Sequence, residues 1–560
     1  MLRTTQKMIW VFLVLIVVTA EVTAADAGFH GIVTDNARKP IRGAILKATA
    51  GYKSVIRHTQ ADGRYEITLP PGNYSESVEA FGFGAKRLTK DAGEAGETNF
   101  SLTPKLDLAR LSGADLDNLL PVNPQTKLFA RQCNECHGIE TVMHESGFTA
   151  AQWQVFMPTM TRGKVVPPNY PPPEMAVMTA LLEKYFGPEA PYFGPDADPP
   201  SPEQLKHVDI SDAALNATVR EYTIPTGLPS MPHSIMVDGN DAAWFSERGI
   251  GIYKIGRFES KTEKFDEYSV PIPEHGTGNP HTGVIGKDGT VWMSLIHDGK
   301  DSMGPDLAQV DPETGQVTTY TIPNSIKHLG IHTLAADPDG NVWMGGSAVW
   351  KFDVKTKQFK EYKVSLPSIY PESSIQNWGH APGDPPQTTR DTRTTYYDIR
   401  VDSKGKVWVS AGAFGWLYRI DPATGETKEY RPPETGSIKG VEIDSQDNVW
   451  FAGFQSNILG KLDAKTGHFS VYHFPTSFAM PYGIAFDKKT SNMWAGDMNG
   501  QHITRFDPRT EQFTEFPVLL SRPKFLGNDS KSRIWFTEYL DGKIGVLDTG
   551  EGSKRVSSMR

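Results

Sequence analysis

A tryptophan preceded by an apolar residue recurs seven times in the second half of this chain, at Trp244, Trp292, Trp343, Trp408, Trp450, Trp494 and Trp535. Most intervals are 41 to 51 residues; the step from Trp343 to Trp408 is longer and holds an insertion at about 367–393. Each unit reads as an aspartate or glycine turn, the apolar–Trp pair and its strand, a D-x-x-T-G turn, and an aromatic-rich strand. Asp311-Pro312-Glu313-Thr314-Gly315, Asp421-Pro422-Ala423-Thr424-Gly425 and Asp463-Ala464-Lys465-Thr466-Gly467 show the second turn. A unit of this length, made of short alternating strands, cannot bury its apolar face alone and stacks as one four-stranded propeller blade. The pattern predicts a seven-bladed β-propeller over 219–549. The seventh unit ends soon after Asp548-Thr549-Gly550 without a closing strand, and the missing E-Y-x-x-P element stands at the front, in Arg220–Pro225. That early strand is expected to complete the last blade and leave no open sheet edge.

Eleven residues before each tryptophan lies the start of the innermost strand, a position that faces the central channel. Those residues are His233, His281, His332, Tyr397, Lys439 and Lys524; an extra residue in the sixth unit makes its equivalent Tyr482. Three imidazoles, two phenols and two ammonium groups suit an anionic or carbonyl-rich ligand, or a metal held through imidazoles. A hydrated rim with no ligand is the alternative reading. Three residues after the tryptophan a second set contains Glu247, Asp497 and Glu538. The D-x-D-G-N run Asp337–Asn341 lacks the distant glutamate of a calcium loop and reads as a hairpin turn. His297, His328, His380, His468, His473 and His502 read as structural, and His30 and His58 as surface residues.

The only two cysteines lie in Cys133-Asn134-Glu135-Cys136-His137. C-x-x-C-H is the attachment pattern of a c-type haem: two thiols form thioethers with its vinyl groups, and the adjacent histidine ligates the iron. A reducible thiol pair is the alternative. Around the motif, residues 121–188 read as helical. One helix is expected over Asn123–His137. Thr149-Ala150-Ala151-Gln152 has the capping-box pattern that opens a second, and Met175, Met178, Leu181, Leu182 and Tyr185 keep the helical period of a third. Met160, seven residues after Trp153, is the expected distal ligand, because a thioether is a common axial partner. Met157, Met175, His144 and an open position are the alternatives.

At the N-terminus, Arg3 and Lys7 precede an apolar stretch, Met8–Val18, too short for a comfortable membrane span. Val22-Thr23-Ala24 offers small residues for cleavage after Ala24. The segment 1–24 is therefore expected to be a secretory signal, with the mature chain exported to a bacterial periplasm and without a stable membrane span. The net charge of −9 comes with no basic cluster, which argues against nucleic-acid binding. Residues 189–204 form a proline-rich linker that acts as a semi-rigid spacer.

Three family resemblances follow. Residues 28–103 carry G-x-V-x-D, P-x-x-G-A, A-D-G-R-Y and L-P-P-G-x-Y in order, which resembles the carboxypeptidase regulatory-like domain and implies a transthyretin-like β-sandwich. Residues 121–188 resemble a small cytochrome c domain. The propeller repeat resembles the streptogramin (virginiamycin B) lyase family. That last resemblance implies a histidine general base near glutamates and a Mg2+ ion, opening a cyclic depsipeptide by elimination. His233 and Glu247, fourteen residues apart, match its His-to-Glu spacing, with His233 as base and Glu247 as acid or metal ligand. The chain departs from the family where Lys524 precedes Glu538 in the last blade, and where Met231 stands in place of an acidic residue.

The expected fold class is thus multidomain and mainly β: a sandwich, a small all-α cytochrome c domain and a seven-bladed propeller. The leading functional reading is a c-type haem protein that transfers electrons with a redox partner protein, coupled to binding or oxidation of a small-molecule substrate at the propeller. A streptogramin B lyase-like enzyme and a non-catalytic binding propeller are the alternatives.

Overall fold

A computed structural model describes residues 27–551, apart from 70–72, 92–95, 122–146, 161–171, 193–197, 199, 298–303, 324–330, 347, 365–395, 412–414, 435–436 and 519–521. Seven four-stranded antiparallel units follow the sequence repeat. The first comprises Pro232–Val237, Ala242–Glu247, Lys254–Glu259 and Lys264–Ser269, in that spatial order. The first strand of each unit touches the first strand of the next, and Pro523–Asn528 of the seventh touches Pro232–Val237 of the first, which closes a ring. The outermost strand of the seventh unit is Thr218–Thr223, paired antiparallel with Lys543–Asp548. The closing strand comes from the front of the repeat, as the sequence pattern requires.

The periodic tryptophans are packing devices. Each is almost wholly buried, and burial of an aromatic side chain of this size contributes up to about 4–6 kcal/mol of hydrophobic free energy. In five blades the indole Nε1–H donates to an aspartate six residues earlier, as in Trp343 to Asp337 at 3.1 Å and Trp408 to Asp402 at 3.0 Å. The same carboxylate accepts backbone N–H groups of the turn that starts the strand, so the turn residue and the core residue are fastened together. The Asp337–Asn341 run is such a turn. Gly256, Gly460 and Gly545 lie directly beneath Phe245, Phe451 and Phe536; a Cβ at any of them would fall about 2 Å from the ring.

The N-terminal sandwich has two sheets. One pairs Ala27–Asp35 with Arg64–Leu69, Gly96–Glu97 and Phe100–Leu102. The other orders Lys53–His58, Ile45–Ala50, Asn73–Glu79 and Lys86–Asp91. Phe29, Val33, Leu46, Val55, Tyr65, Ile67, Val78 and Phe100 fill the space between them. The second sheet does not end at its edge. Lys53–His58 pairs with Thr218–Thr223, so sandwich and seventh blade share one eight-stranded sheet. Lys47 and Lys543 both reach the buried Glu221 at this seam. His58 is buried near it, which corrects the surface assignment: burial, with Arg57 adding a smaller effect, pushes its imidazole down to about 4.

Between sandwich and propeller, Gly113–Asp117, Ala150–Met160 and Pro172–Phe186 are helical. Thr149 caps the second of these as expected: Gln152 N–H donates to its hydroxyl at 3.3 Å, and the Gln152 side-chain oxygen accepts from Thr149 N–H at 2.8 Å. Trp153, Leu181, Leu182 and Phe186 bury against Leu111, Leu116, Leu120 and Leu205. The helix expected over Asn123–His137, with Cys133, Cys136, His137 and His144, lies outside the described residues, as do the insertion at 367–393 and the side chains of Met157, Met160 and Met175. Among the described residues, no helix is long and apolar enough to cross a membrane.

Candidate functional site at the propeller channel

Every innermost strand breaks its register at the same place. The shifts fall between Pro232 and Ile235, Pro280 and Gly283, Ile331 and Thr333, Tyr396 and Ile399, Ile438 and Gly440, Pro481 and Ile484, and Pro523 and Leu526. A bulge frees a residue from the ladder and re-aims its side chain. The freed residues include His233, His281, His332, Tyr397, Lys439, Tyr482 and Lys524. A local irregularity repeated seven times thus builds the ring that the eleven-residue offset predicts.

The ring is tight. His233 and His281 lie 4.0 Å apart centre to centre, His281 and His332 4.2 Å, and His332 and Tyr397 4.0 Å. The Tyr397 and Tyr482 hydroxyls hydrogen-bond to each other. Lys439 Nζ stands 4.3 Å over the Tyr397 ring, and Lys524 Nζ 3.9 Å over the Tyr539 ring and 5.3 Å over Tyr482. All seven side chains are buried, and they pack against further groups at the same end of the blades.

Those groups follow a second offset that sequence reasoning missed. Four residues past the tryptophan stand Arg248, Phe454, Met498 and Tyr539, one step beyond the Glu247, Asp497 and Glu538 set. Phe454 and Met498 pack with Tyr397 and Tyr482, and Arg248 Nη1 reaches the Tyr539 hydroxyl at 3.5 Å. Because strand residues alternate faces, the same count that located the carboxylates would have located this set at the neighbouring position.

Electrostatically the ring is cationic without charge on its histidines. Burial pushes His332 down to about 3 and holds His233 and His281 well below the usual imidazole range; Lys524 and Arg248 add to the effect at His233. His281 Nδ1 lies 2.9 Å from the His332 carbonyl and His332 Nδ1 2.8 Å from the Tyr397 carbonyl. In a neutral ring this contact places the proton on Nδ1 and leaves the Nε2 lone pair free. Two lysines, Arg248 and two phenols around neutral imidazoles favour an anionic or carbonyl-rich ligand.

Across the first ladder of the blade Glu247 stands opposite Pro232, the neighbour of His233. His233 belongs to the ring, and its principal charged neighbours are Lys524 and Arg248. Glu247 pairs across the ladder with Lys254, and its principal charged neighbours are Glu267 and Lys254; burial first, then Glu267, pushes its carboxyl up to about 7. Glu538 is likewise grouped with Glu221 and Lys543. Met231 adopts a left-handed backbone (φ 44°) just before the first innermost strand. Magnesium takes oxygen ligands, usually carboxylates and water. The ring itself offers imidazoles, phenols and ammonium groups and no carboxylate, so the ring residues do not fit a Mg2+ centre. Among the described residues, the group of three His, Cys, Asp or Glu side chains with mutually close ligand atoms is Asp497, His502 and Glu515, not the three ring histidines.

Comparison with known proteins agrees with this architecture in part. Residues 28–103 match the carboxypeptidase regulatory-like domain, and residues 387–557 match the virginiamycin B lyase family. No curated protein matches the chain. Among solved structures, a selenomethionine-substituted virginiamycin B lyase from Staphylococcus aureus is 18% identical, covering 59% of this chain and 99% of that one, with a TM-score of 0.47. A streptogramin B lyase structure is 20% identical, covering 60% and 99%, with a TM-score of 0.49. A structure of the mitotic checkpoint complex is 10% identical, covering 63% and 95%, with a TM-score of 0.45.

Proposed function

We propose that this chain is an exported c-type haem protein of the bacterial periplasm, in which electron transfer is coupled to a small anionic or carbonyl-rich ligand bound over the propeller ring. The observation that carries the reading is that the chain's only two cysteines and an adjacent histidine fall in one C-x-x-C-H motif. The donor types suit haem c: Cys133 and Cys136 would hold it through thioethers, and His137 and Met160 would ligate its iron. The helices Ala150–Met160 and Pro172–Phe186, which follow the motif in sequence, are joined through buried Trp153, Leu181 and Leu182. Bound haem supplies a one-electron iron couple. The protein positions it on the same chain as the ring, which raises the effective concentration of one site at the other.

A visible spectrum of the mature protein, made with haem maturation available, tests this. A c-type α-band that appears on dithionite reduction and survives acid–acetone extraction is expected, and its loss in the Cys133→Ala/Cys136→Ala double variant. A colourless, folded wild type would overturn the reading. At the propeller, Lys439→Met with Lys524→Met is expected to weaken binding of anionic ligands at least tenfold.

The match of residues 387–557 to the lyase family favours a second reading, in which His233 acts as base on a cyclic depsipeptide. Linearisation of a streptogramin B, lost in His233→Ala, would support it. No turnover in the presence of magnesium would set it aside.

A further inference from the structure

Three blades carry the same partly buried constellation, with one substitution. In the first blade Glu247 faces Lys254 across the ladder, and Glu267 stands on the next strand opposite Gly256. In the seventh blade Glu538 faces Lys543, and Glu221 stands opposite Gly545. In the sixth blade Asp497 faces His502, and Glu515 stands opposite Thr504. The registers are equivalent, so each blade places a cationic or imidazole side chain between two carboxylates.

Where that side chain is lysine, the ammonium group pairs with one acid in the first blade and with both in the seventh. Lys254 Nζ lies 2.9 Å from Glu267, and Lys543 Nζ lies 3.2 Å from Glu221 and 3.9 Å from Glu538. His502 takes the same ladder position without an ammonium group. The sixth blade therefore keeps the two carboxylates and lacks the lysine. Asp497 is fully buried, its Oδ1 has no hydrogen-bond partner, and neither does His502 Nδ1. An uncompensated buried carboxylate is strongly unfavourable unless it protonates or acquires a cation.

The three side chains are set for a cation. One ligand atom from each of Asp497, His502 and Glu515 lies within 4.8 Å of the other two. Around a zinc-sized ion such atoms stand roughly 3.3 Å apart, given bond lengths of about 2.0–2.1 Å, so side-chain rotation is enough to close the set. The remaining polar contacts orient the ligands rather than compete for them. Thr504 Oγ1 donates to Asp497 Oδ2, and Thr476 donates to Glu515 through its N–H at 3.0 Å and its hydroxyl at 2.9 Å. Hydrogen bonds of this kind commonly fix metal ligands from behind.

We propose that Asp497, His502 and Glu515 bind a divalent transition-metal ion of the Zn2+ class, which replaces the lysine ammonium of the sister blades. One imidazole nitrogen and two carboxylate oxygens suit such an ion better than calcium or magnesium, which take oxygen alone. Ligating carboxylates are ionised, so any proton they hold is released to solvent on binding. The ion would sit next to the segment that docks the helical region on the propeller: Ala114 N–H donates to the Asn499 carbonyl at 3.1 Å, and the Asn499 side-chain amide donates to Asp117 at 3.0 Å. Its consequence is to pin blade six where that segment rests.

The test uses the full-length mature protein, stripped with chelator and then titrated with Zn2+, with bound zinc measured by elemental analysis and melting temperature followed in parallel. His502→Lys is the informative variant because it recreates the arrangement that already folds in blades one and seven. The wild type is expected to retain one more zinc equivalent than His502→Lys, and to show a zinc-dependent rise in melting temperature that the variant lacks. Asp497→Asn is expected to weaken zinc binding at least tenfold. Equal zinc content and equal thermal response in wild type and His502→Lys would overturn the proposal, as would a wild type that takes up no zinc.

Discussion

Replacing Asp402 with alanine isolates the energetic role of the aspartate that precedes a blade tryptophan. Asp402 accepts the N–H groups of Lys404 at 3.0 Å and Lys406 at 2.8 Å, and also the buried indole N–H of Trp408 at 3.0 Å. Asp311, in the other repeated turn, is a natural control: it accepts two backbone N–H groups, from Glu313 at 2.9 Å and Thr314 at 3.1 Å, in an exposed setting. The difference between the two sites is one buried donor. In Asp311→Ala water can take over both N–H groups, and a loss of about 1 kcal/mol is expected. In Asp402→Ala the Trp408 N–H is left unpaired in the core, which adds about 1–3 kcal/mol, for a total near 3 kcal/mol. At about 2 °C per kcal/mol for a unit of this size or slightly smaller, the melting transition should fall by about 6 °C in Asp402→Ala and about 2 °C in Asp311→Ala. Scanning fluorimetry on intrinsic tryptophan emission, with identical heating rates, reads both. Equal shifts in the two variants would refute the claim that the indole bond fastens turn to core.

Three further outcomes are expected. The His58 imidazole is held at about 4 in the folded chain against about 6.5 when unfolded. Its contribution is therefore present in full above pH 6.5 and is lost as pH falls toward 4, by roughly 3 kcal/mol; His58→Phe should flatten the fall of melting temperature over that window, and an unchanged slope would count against it. Glu221→Gln leaves Lys47 and Lys543 without their shared buried carboxylate and should cost about 3–5 kcal/mol; a loss below about 1 kcal/mol by scanning calorimetry would show the seam to be indifferent to that charge. Removing residues 28–103 bares the outer edge of Thr218–Thr223, so the truncated chain should self-associate in light scattering, whereas a stable monomer would show the edge to be harmless.

The propeller is legible in the sequence because its repeat is enforced at buried positions. Each tryptophan must fill an equivalent gap between blades, so the spacing survives while the turns vary. The channel ring is legible for the same reason, since the offset from tryptophan to bulge is fixed by strand length. Long-range pairing is not legible. Lys53–His58 reads locally as an ordinary strand after the Gly51-Tyr52 turn, and nothing nearby announces that its edge meets Thr218–Thr223 far along the chain. The spacing of fourteen brings His233 and Glu247 to one end of adjacent strands, while the pleat and the bulge, which counting does not show, decide which way each side chain turns. His502 looks structural by itself, and gains meaning only beside Lys254 and Lys543 at the same ladder position.

The shared eight-stranded sheet also bears on the order in which the molecule assembles. A ring closed by its first and last strands cannot be completed until the ribosome has released nearly the whole chain. Until then Thr218–Thr223 would wait with both edges bare through the making of six blades. Here one of those edges is occupied early, because its partner Lys53–His58 emerges long before it. The sandwich thus acts as a scaffold that holds the closing strand in an extended, paired form, and Lys543–Asp548 arrives last, onto a template already in place.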